Sequence, residues 1–224
     1  MLVLGLDTAT SISSIALYDS ELGRSLGEIS LESIARHSEK LIPNIDFLLS
    51  QKQLSYDSID LIAISIGPGS FTGLRVALST VKGIAYASHK PVVAVDSLMA
   101  RAYAGVGIMD KVASCLDAKR GEVFGGIFAV GSNNLSIIKE SAIFSIDNFI
   151  NSCIESKTKF LVTDLADQAV VKPFIDSGLK PINDIYNSIF LCKLGLIIYN
   201  SSGADDINLL LPKYLRDFMP GLPR

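Results

Sequence analysis

Apolar residues fall along this chain in two alternating rhythms. Residues 2–6 and 59–64 are short, nearly unbroken apolar runs, the pattern of strands buried on both faces. Residues 12–18 and 24–31 alternate, and predict two further strands that pair back on the first. Leu41, Ile42, Ile45, Leu48 and Leu49 then recur at helical spacing, with Ser38 as the expected N-cap and Pro43 tolerated near the start or as a mild kink. A second helix is expected from about Ser70, because Leu74, Val76, Ala77, Leu78, Val81, Ile84, Ala85 and Tyr86 recur at helical spacing. A strand at 91–95 and a short helix at 98–103 follow.

After Gly105-Val106-Gly107 the pattern restarts. Strands are expected at 112–116, 123–130 and 135–143, a helix at 147–155, a strand at 160–163 and a helix at 165–175. Three strands, helix, strand, helix thus occurs twice, each time opened by a strand that runs into an aspartate, Asp7 or Asp117. An α/β fold of two lobes follows, divided as 1–105 and 106–224. The apolar helix expected at 188–199, or the tail after it, is expected to pack back on the first lobe.

The densest cluster of special-conformation residues is Ser65-Ile66-Gly67-Pro68-Gly69-Ser70-Phe71-Thr72-Gly73-Leu74-Arg75, between a buried strand and a helix. It is not a Walker A loop, since Leu74 and Arg75 stand where lysine and a hydroxyl residue are required, and its glycines do not fit Gly-x-Gly-x-x-Gly. Two roles are open. The glycines could let helix and sheet approach closely, or the first helical amides could face an anion.

Composition narrows the function classes. The chain is 49% hydrophobic and only 19% charged, with mean hydropathy +0.39, yet it has no uninterrupted apolar run of membrane-spanning length. The excess points to an apolar assembly surface. A net charge of −3 supplies no general attraction to nucleic acid. Cys115, Cys153 and Cys192 are far apart and odd in number, which fits core packing in a reducing, cytoplasmic setting, and the N-terminus reads as a strand rather than a signal peptide.

An aspartate leaving the first strand into Thr8, Thr10 and a hairpin resembles the phosphate-binding turn of the actin/Hsp70/hexokinase (ASKHA) superfamily, which is built from two βββαβα lobes around a central cleft. The other possibility is an ordinary hairpin whose Asp and Thr satisfy their own turn. Four stretches then agree with one family. The opening ending in Asp7-Thr8-Ala9-Thr10, the glycine loop through Arg75, the turn Asp117-Ala118-Lys119-Arg120-Gly121 and the terminal Pro212-Lys213-Tyr214-Leu215-Arg216 resemble the TsaB (YeaZ) family. The likeness runs nearly end to end, with 139–201 supplying little.

That resemblance implies a scaffold subunit in the formation of N6-threonylcarbamoyladenosine at position 37 of tRNAs that read codons beginning with A. It implies a heterodimer with a TsaD-type catalytic subunit, a TsaE-type ATPase, a homodimer in isolation, tRNA contact only through the complex, and no membrane. The family's helices for pairing correspond to 38–49 and 71–87. On and beside them His37, Leu41, Ile45, Leu48, Phe71, Leu74, Arg75 and Leu78 are the interface candidates. ATP or ADP bound within the complex is compatible with this role.

Independent chemistry finds less support. TsaD-like relatives hold a metal through His-x-x-x-His after the fifth strand, whereas this chain reads Val95-Asp96-Ser97-Leu98-Met99-Ala100-Arg101 there, so no metal site of its own and no catalytic residue is expected. A metallopeptidase is disfavoured, as no His-Glu-x-x-His occurs. The competing class is an active nucleotide phosphotransferase, with Asp7, Thr8, Thr10 and Asp117 in two phosphate-facing turns and Arg120 countering phosphate charge.

Overall fold

A computed structural model describes residues 1–32, 37–131, 134–165, 167–182 and 187–216. Strands β1 (Leu2–Asp7), β2 (Ile12–Asp19) and β3 (Arg24–Glu32) lead into helix α1 (His37–Ser50), and β4 (Leu61–Gly67), α2 (Phe71–Ser88), β5 (Val92–Asp96) and α3 (Ser97–Ala102) complete the first half. The second half runs β6 (Lys111–Lys119), β7 (Glu122–Val130), β8 (Leu135–Ser145), α4 (Ile146–Glu155), β9 (Phe160–Thr163), α5 (Gln168–Asp176), β10 (Lys180–Ile182) and α6 (Ser188–Ser202).

Each half builds one five-stranded sheet, ordered β3-β2-β1-β4-β5 and β10-β9-β6-β7-β8. The two orders are the same when the second is read backwards. In both, the opening strand pairs antiparallel with its hairpin partner and parallel with the strand that follows the first helix. This is the ASKHA arrangement, two repeats of βββαβα. Each repeat also carries a further strand and helix. The three-residue β10 escapes the apolar pattern because Pro181 interrupts it at the sheet edge.

Strand periodicity explains why the first sheet needs cover on both faces. Leu2, Leu4, Leu6, Ile62 and Ile64 pack toward α1 and α2. Val3, Leu61 and Ala63, offset by one position, pack with Leu191, Cys192 and Leu194 of α6. The last helix therefore lies on the first lobe. In return, Leu98 and Ala102 of α3 pack with Val112, Leu116, Phe128 and Val162 of the second sheet. Each half thus lends a helix to the other.

The same burial corrects most of the interface candidates. Leu41, Ile45, Leu48, Leu74 and Leu78 all belong to the core between α1, α2 and the first sheet. The apolar stripe of each helix is spent on its own sheet and cannot meet a partner. Ser38 falls within the α1 range, its side chain outside the described residues, and Pro43 falls in the second turn. The side chain of His37 lies outside the described residues. Arg75 is exposed and Phe71 half-buried, both against the C-terminal segment.

Candidate functional site

The glycine loop sits where β4 turns into α2, and it is locked from two sides. Ser70 caps α2, its hydroxyl accepting from the Gly73 amide at 3.2 Å. The Ser70 amide donates to the Ala9 carbonyl at 2.7 Å, and the Thr8 hydroxyl donates to the Gly73 carbonyl at 2.8 Å. A Cβ on Gly69 would lie 2.3 Å from the Ala9 carbonyl oxygen, and one on Gly73 would lie 2.2 Å from that of Thr8. The glycines therefore admit the first hairpin turn itself. On the other flank the Lys213 amide donates to the Ile66 carbonyl at 2.7 Å.

The hairpin turn is equally committed. Asp7 accepts from the Ala9 amide at 2.8 Å with Oδ1, and its Oδ2 is paired with the Arg101 guanidinium at 3.1 Å. Both side chains are almost fully buried. Asp7 and Thr8 are therefore both bonded within the protein. Thr10 hydrogen-bonds the backbone of Ile12 and lines a crevice between the lobes, together with Asp7, Arg101 and Asp164. Desolvation against the crevice walls raises the Asp164 carboxyl above the usual range and Arg101 opposes that rise, but the residue is exposed to solvent, which weakens the effect. The crevice encloses about 60 Å³, against the roughly 300–1,000 Å³ of small-molecule sites.

The second Asp-containing turn is turned inward in a different sense. Asp117 accepts from the Lys119 amide and is paired with the Lys119 ammonium, both at 2.6 Å. Lys119, Arg120 and Gly121 all have left-handed backbone, with φ of 65°, 60° and 75°. A bulge between Asp117 and Lys119 and the tight turn together turn the chain back. Arg120 lines a second, larger opening of about 610 Å³, together with Gly69 and Phe71 at the start of α2. Of the five phosphate-facing candidates, Asp7 and Thr10 thus line one opening and Arg120 another, while Thr8 and Asp117 line neither.

Sequence reasoning missed three parts of this region. Arg101 gave no signal, because its partner is 94 positions away. Asp96 caps α3 through the Leu98 and Met99 amides, accepts from Ser141 of the second lobe at 3.0 Å, and holds Lys213 at 2.8 Å. The segment 212–216 straps the opening: Tyr214 stacks on Phe71 with ring centroids 4.8 Å apart, Arg75 donates to its hydroxyl at 2.7 Å, and Arg216 pairs with Glu122. All three cysteines are buried. Burial pushes the Cys153 thiol up to about 12 and raises those of Cys115 and Cys192 further, so none is poised as a nucleophile. Among the described residues no group of three His, Cys, Asp or Glu is placed to hold a metal ion, and no helix is long and apolar enough to cross a membrane.

A family model described as TsaD, tRNA N6-adenosine threonylcarbamoyltransferase, matches residues 25–190. The chain belongs to this family. Among curated relatives, the tRNA threonylcarbamoyladenosine biosynthesis protein TsaB of Haemophilus influenzae is 32% identical over 124 residues, 54% of this chain and 51% of that protein. TsaB of Escherichia coli is 29% identical over 126 residues, 55% of this chain and 53% of that protein. The chain spans about half the length of these curated relatives. In fold, it matches a Pseudomonas aeruginosa protein described as similar to the peptidase YeaZ, with TM-score 0.81 and 24% identity over 96% of this chain and 99% of that one. This chain thus joins a TsaB-type likeness in sequence to a two-lobed frame whose first hairpin turn is paired with Arg101.

Proposed function

We propose that this chain is the TsaB-type, non-catalytic subunit of an assembly that forms N6-threonylcarbamoyladenosine at position 37 of tRNAs reading codons that begin with A. A TsaD-type subunit carries the reacting centre, a TsaE-type ATPase joins them, and tRNA is met through the complex in the cytoplasm. The observation that carries this reading, beside the family match, is the fate of the first hairpin turn. Every polar group that a phosphotransferase would turn toward its nucleotide there is bonded within the protein, and the space beside Asp7 is several-fold too small for one. The phosphotransferase reading needs Asp7, Thr8, Thr10, Asp117 and Arg120 to converge on one anion, and counting against it, Asp7 and Thr10 line one opening and Arg120 another.

The partner meets the outer side of α1 and α2 in this proposal, not the stripe the sequence pattern emphasises. Ile42 and Phe47 of α1 and Tyr86 of α2 remain 40%, 54% and 53% exposed. A central aromatic in such a patch is the kind of residue that dominates an interface. Phe47→Asp leaves the fold intact, because nothing in the core depends on it, and weakens the heterodimer with a TsaD-type subunit at least about thirtyfold. Light scattering and calorimetry on the mixed subunits check this. Undiminished affinity would place the partner on another face.

A further inference from the structure

The far end of the second lobe, where β6, β9 and β10 begin, carries one short pattern twice. Ile154-Glu155-Ser156-Lys157-Thr158-Lys159 closes α4 and leads into β9, and Ile175-Asp176-Ser177-Gly178-Leu179-Lys180 closes α5 and leads into β10. Both helix ends fold alike. The Lys157 amide donates to the Ile154 carbonyl and the Thr158 amide to that of Cys153, each at 2.9 Å. The Gly178 amide donates to the Ile175 carbonyl at 2.9 Å and the Leu179 amide to that of Phe174 at 3.1 Å. Lys157 and Gly178 take the left-handed backbone that such a stop requires, with φ of 56° and 88°. The two ends lie side by side: Phe149 of α4 meets Phe174 of α5 edge-on, and the Lys180 amide donates to the Lys159 carbonyl at 2.8 Å.

The doubled ending leaves two apolar side chains in water. Ile154 and Ile175 are 56% and 50% exposed. The apolar contact typical of such helix ends falls at the positions of Cys153 and Thr158, and of Phe174 and Leu179, and all four are buried. The caps therefore do not account for the isoleucines. Lys157, Lys159 and Lys180 are exposed around them, without an ion-pair partner among the described residues. Lys111, at the start of β6, donates to the Ser156 carbonyl at 2.9 Å, and Lys172 lies one turn back on α5. Five lysines thus meet three carboxylates at this end, Asp110, Glu155 and Asp176, on a chain whose net charge is −3.

We infer that this end of the second lobe is a docking surface for an acidic amphipathic helix of another protein. Apolar side chains at i and i+7 of that helix meet Ile154 and Ile175, and its carboxylates meet Lys157, Lys159 and Lys180. Packed helices lie about 8–10 Å apart and seven residues of helix span about 10.5 Å, so the two spacings match. Both caps are already formed, which spares the cost of ordering them on binding. A second copy of this chain across a two-fold axis would set the lysine surplus against itself. RNA would take up the lysines but leave the isoleucines in water, with no exposed aromatic at this end among the described residues to stack a base. The surface is on the other lobe from α1 and α2, and the nine residues of β6 put it roughly 30 Å from the Asp117 turn. It is therefore independent of the proposed function and goes beyond it.

The test is titration of the full chain, followed by NMR amide shifts, with a short synthetic helical peptide that carries Leu at i and i+7 and Glu on both flanks. Saturable binding is expected, with the shifts centred on residues 154–159 and 175–180. The same peptide with Lys for each Glu, and one with Ser for each Leu, should each bind at least about tenfold more weakly, as loss of the charged or the apolar contacts requires. Ile154→Ser combined with Ile175→Ser should weaken the Glu peptide at least about tenfold and leave the unfolding temperature nearly unchanged, since both side chains are exposed. If that double variant does not fold, Lys159→Glu with Lys180→Glu carries the test, with the preference between Glu and Lys peptides reversed. Phosphatidylserine vesicles and a short RNA duplex serve as competitors, and light scattering on the chain alone reports a second copy. No saturable binding, shifts centred elsewhere, a control peptide that binds as well as the Glu peptide, or indifference to both double variants would each overturn the inference. So would vesicles or RNA that outcompete the peptide, or self-association that Ile154→Ser with Ile175→Ser removes.

Discussion

Arg101→Met lowers the stability of the folded chain by about 3–5 kcal/mol, the usual cost of stranding one partner of a buried ion pair. Arg101 and Asp7 have side chains only 5% and 2% exposed, so no solvent replaces the lost guanidinium. Arg101 also donates to the Ser97 carbonyl at 3.1 Å, fixing the first turn of α3, the helix the first lobe lends to the second sheet. The variant therefore strikes the joint between the lobes as well as the hairpin. Asp7→Asn alone is milder, because its side-chain carbonyl still accepts from the Ala9 amide. Adding Asp7→Asn to Arg101→Met recovers part of the loss, since no unpaired charge then remains. Urea titration of the three variants measures this. Additive losses would mean that the pair is not coupled.

Gly73→Ala comes next, with an expected loss of about 2–4 kcal/mol from forced displacement of packed backbone. The added methyl would stand 2.2 Å from the Thr8 carbonyl oxygen, a backbone atom that cannot swing aside. It would also separate the Thr8 hydroxyl from the Gly73 carbonyl it bonds at 2.8 Å, leaving a buried donor without its acceptor. Gly83→Ala, on the open side of the same helix with nothing near its added methyl, serves as the control and should be neutral or slightly stabilising. Thermal unfolding of both distinguishes a contact effect from helix propensity. Equal midpoints would mean that the loop and the hairpin turn do not touch as described.

The parts of this protein that were legible in its sequence are those determined within about twenty residues. The apolar runs of β1 and β4, the Ser70 start of α2 and the restart after Gly107 follow from local periodicity and turn chemistry, and the structure keeps them all. What escaped depends on partners far along the chain. The stripe Leu41, Ile45, Leu48 is visible as a helix face, but periodicity does not say whether a sheet or a second protein covers it, and here the sheet does. Arg101 looks like a surface residue of a short helix until Asp7 is folded against it. The opening beside Arg120 is built from Phe71 and a tail whose Tyr214 meets Arg75 across 139 positions. Its motifs were readable one by one, and their convergence was not.

The central claim is that this chain serves tRNA modification as a subunit and not through chemistry at its own hairpin turns. The direct measurement is reconstitution: a TsaD-type subunit, a TsaE-type ATPase, threonylcarbamoyl-adenylate and unmodified tRNA, with and without this chain, with modified adenosine counted by mass spectrometry after digestion. The account predicts modification that requires the chain and survives both Asp7→Asn and Asp117→Ala at close to the unmutated rate. Modification that proceeds equally without the chain, or that is lost in those variants while the complex still assembles, would contradict it.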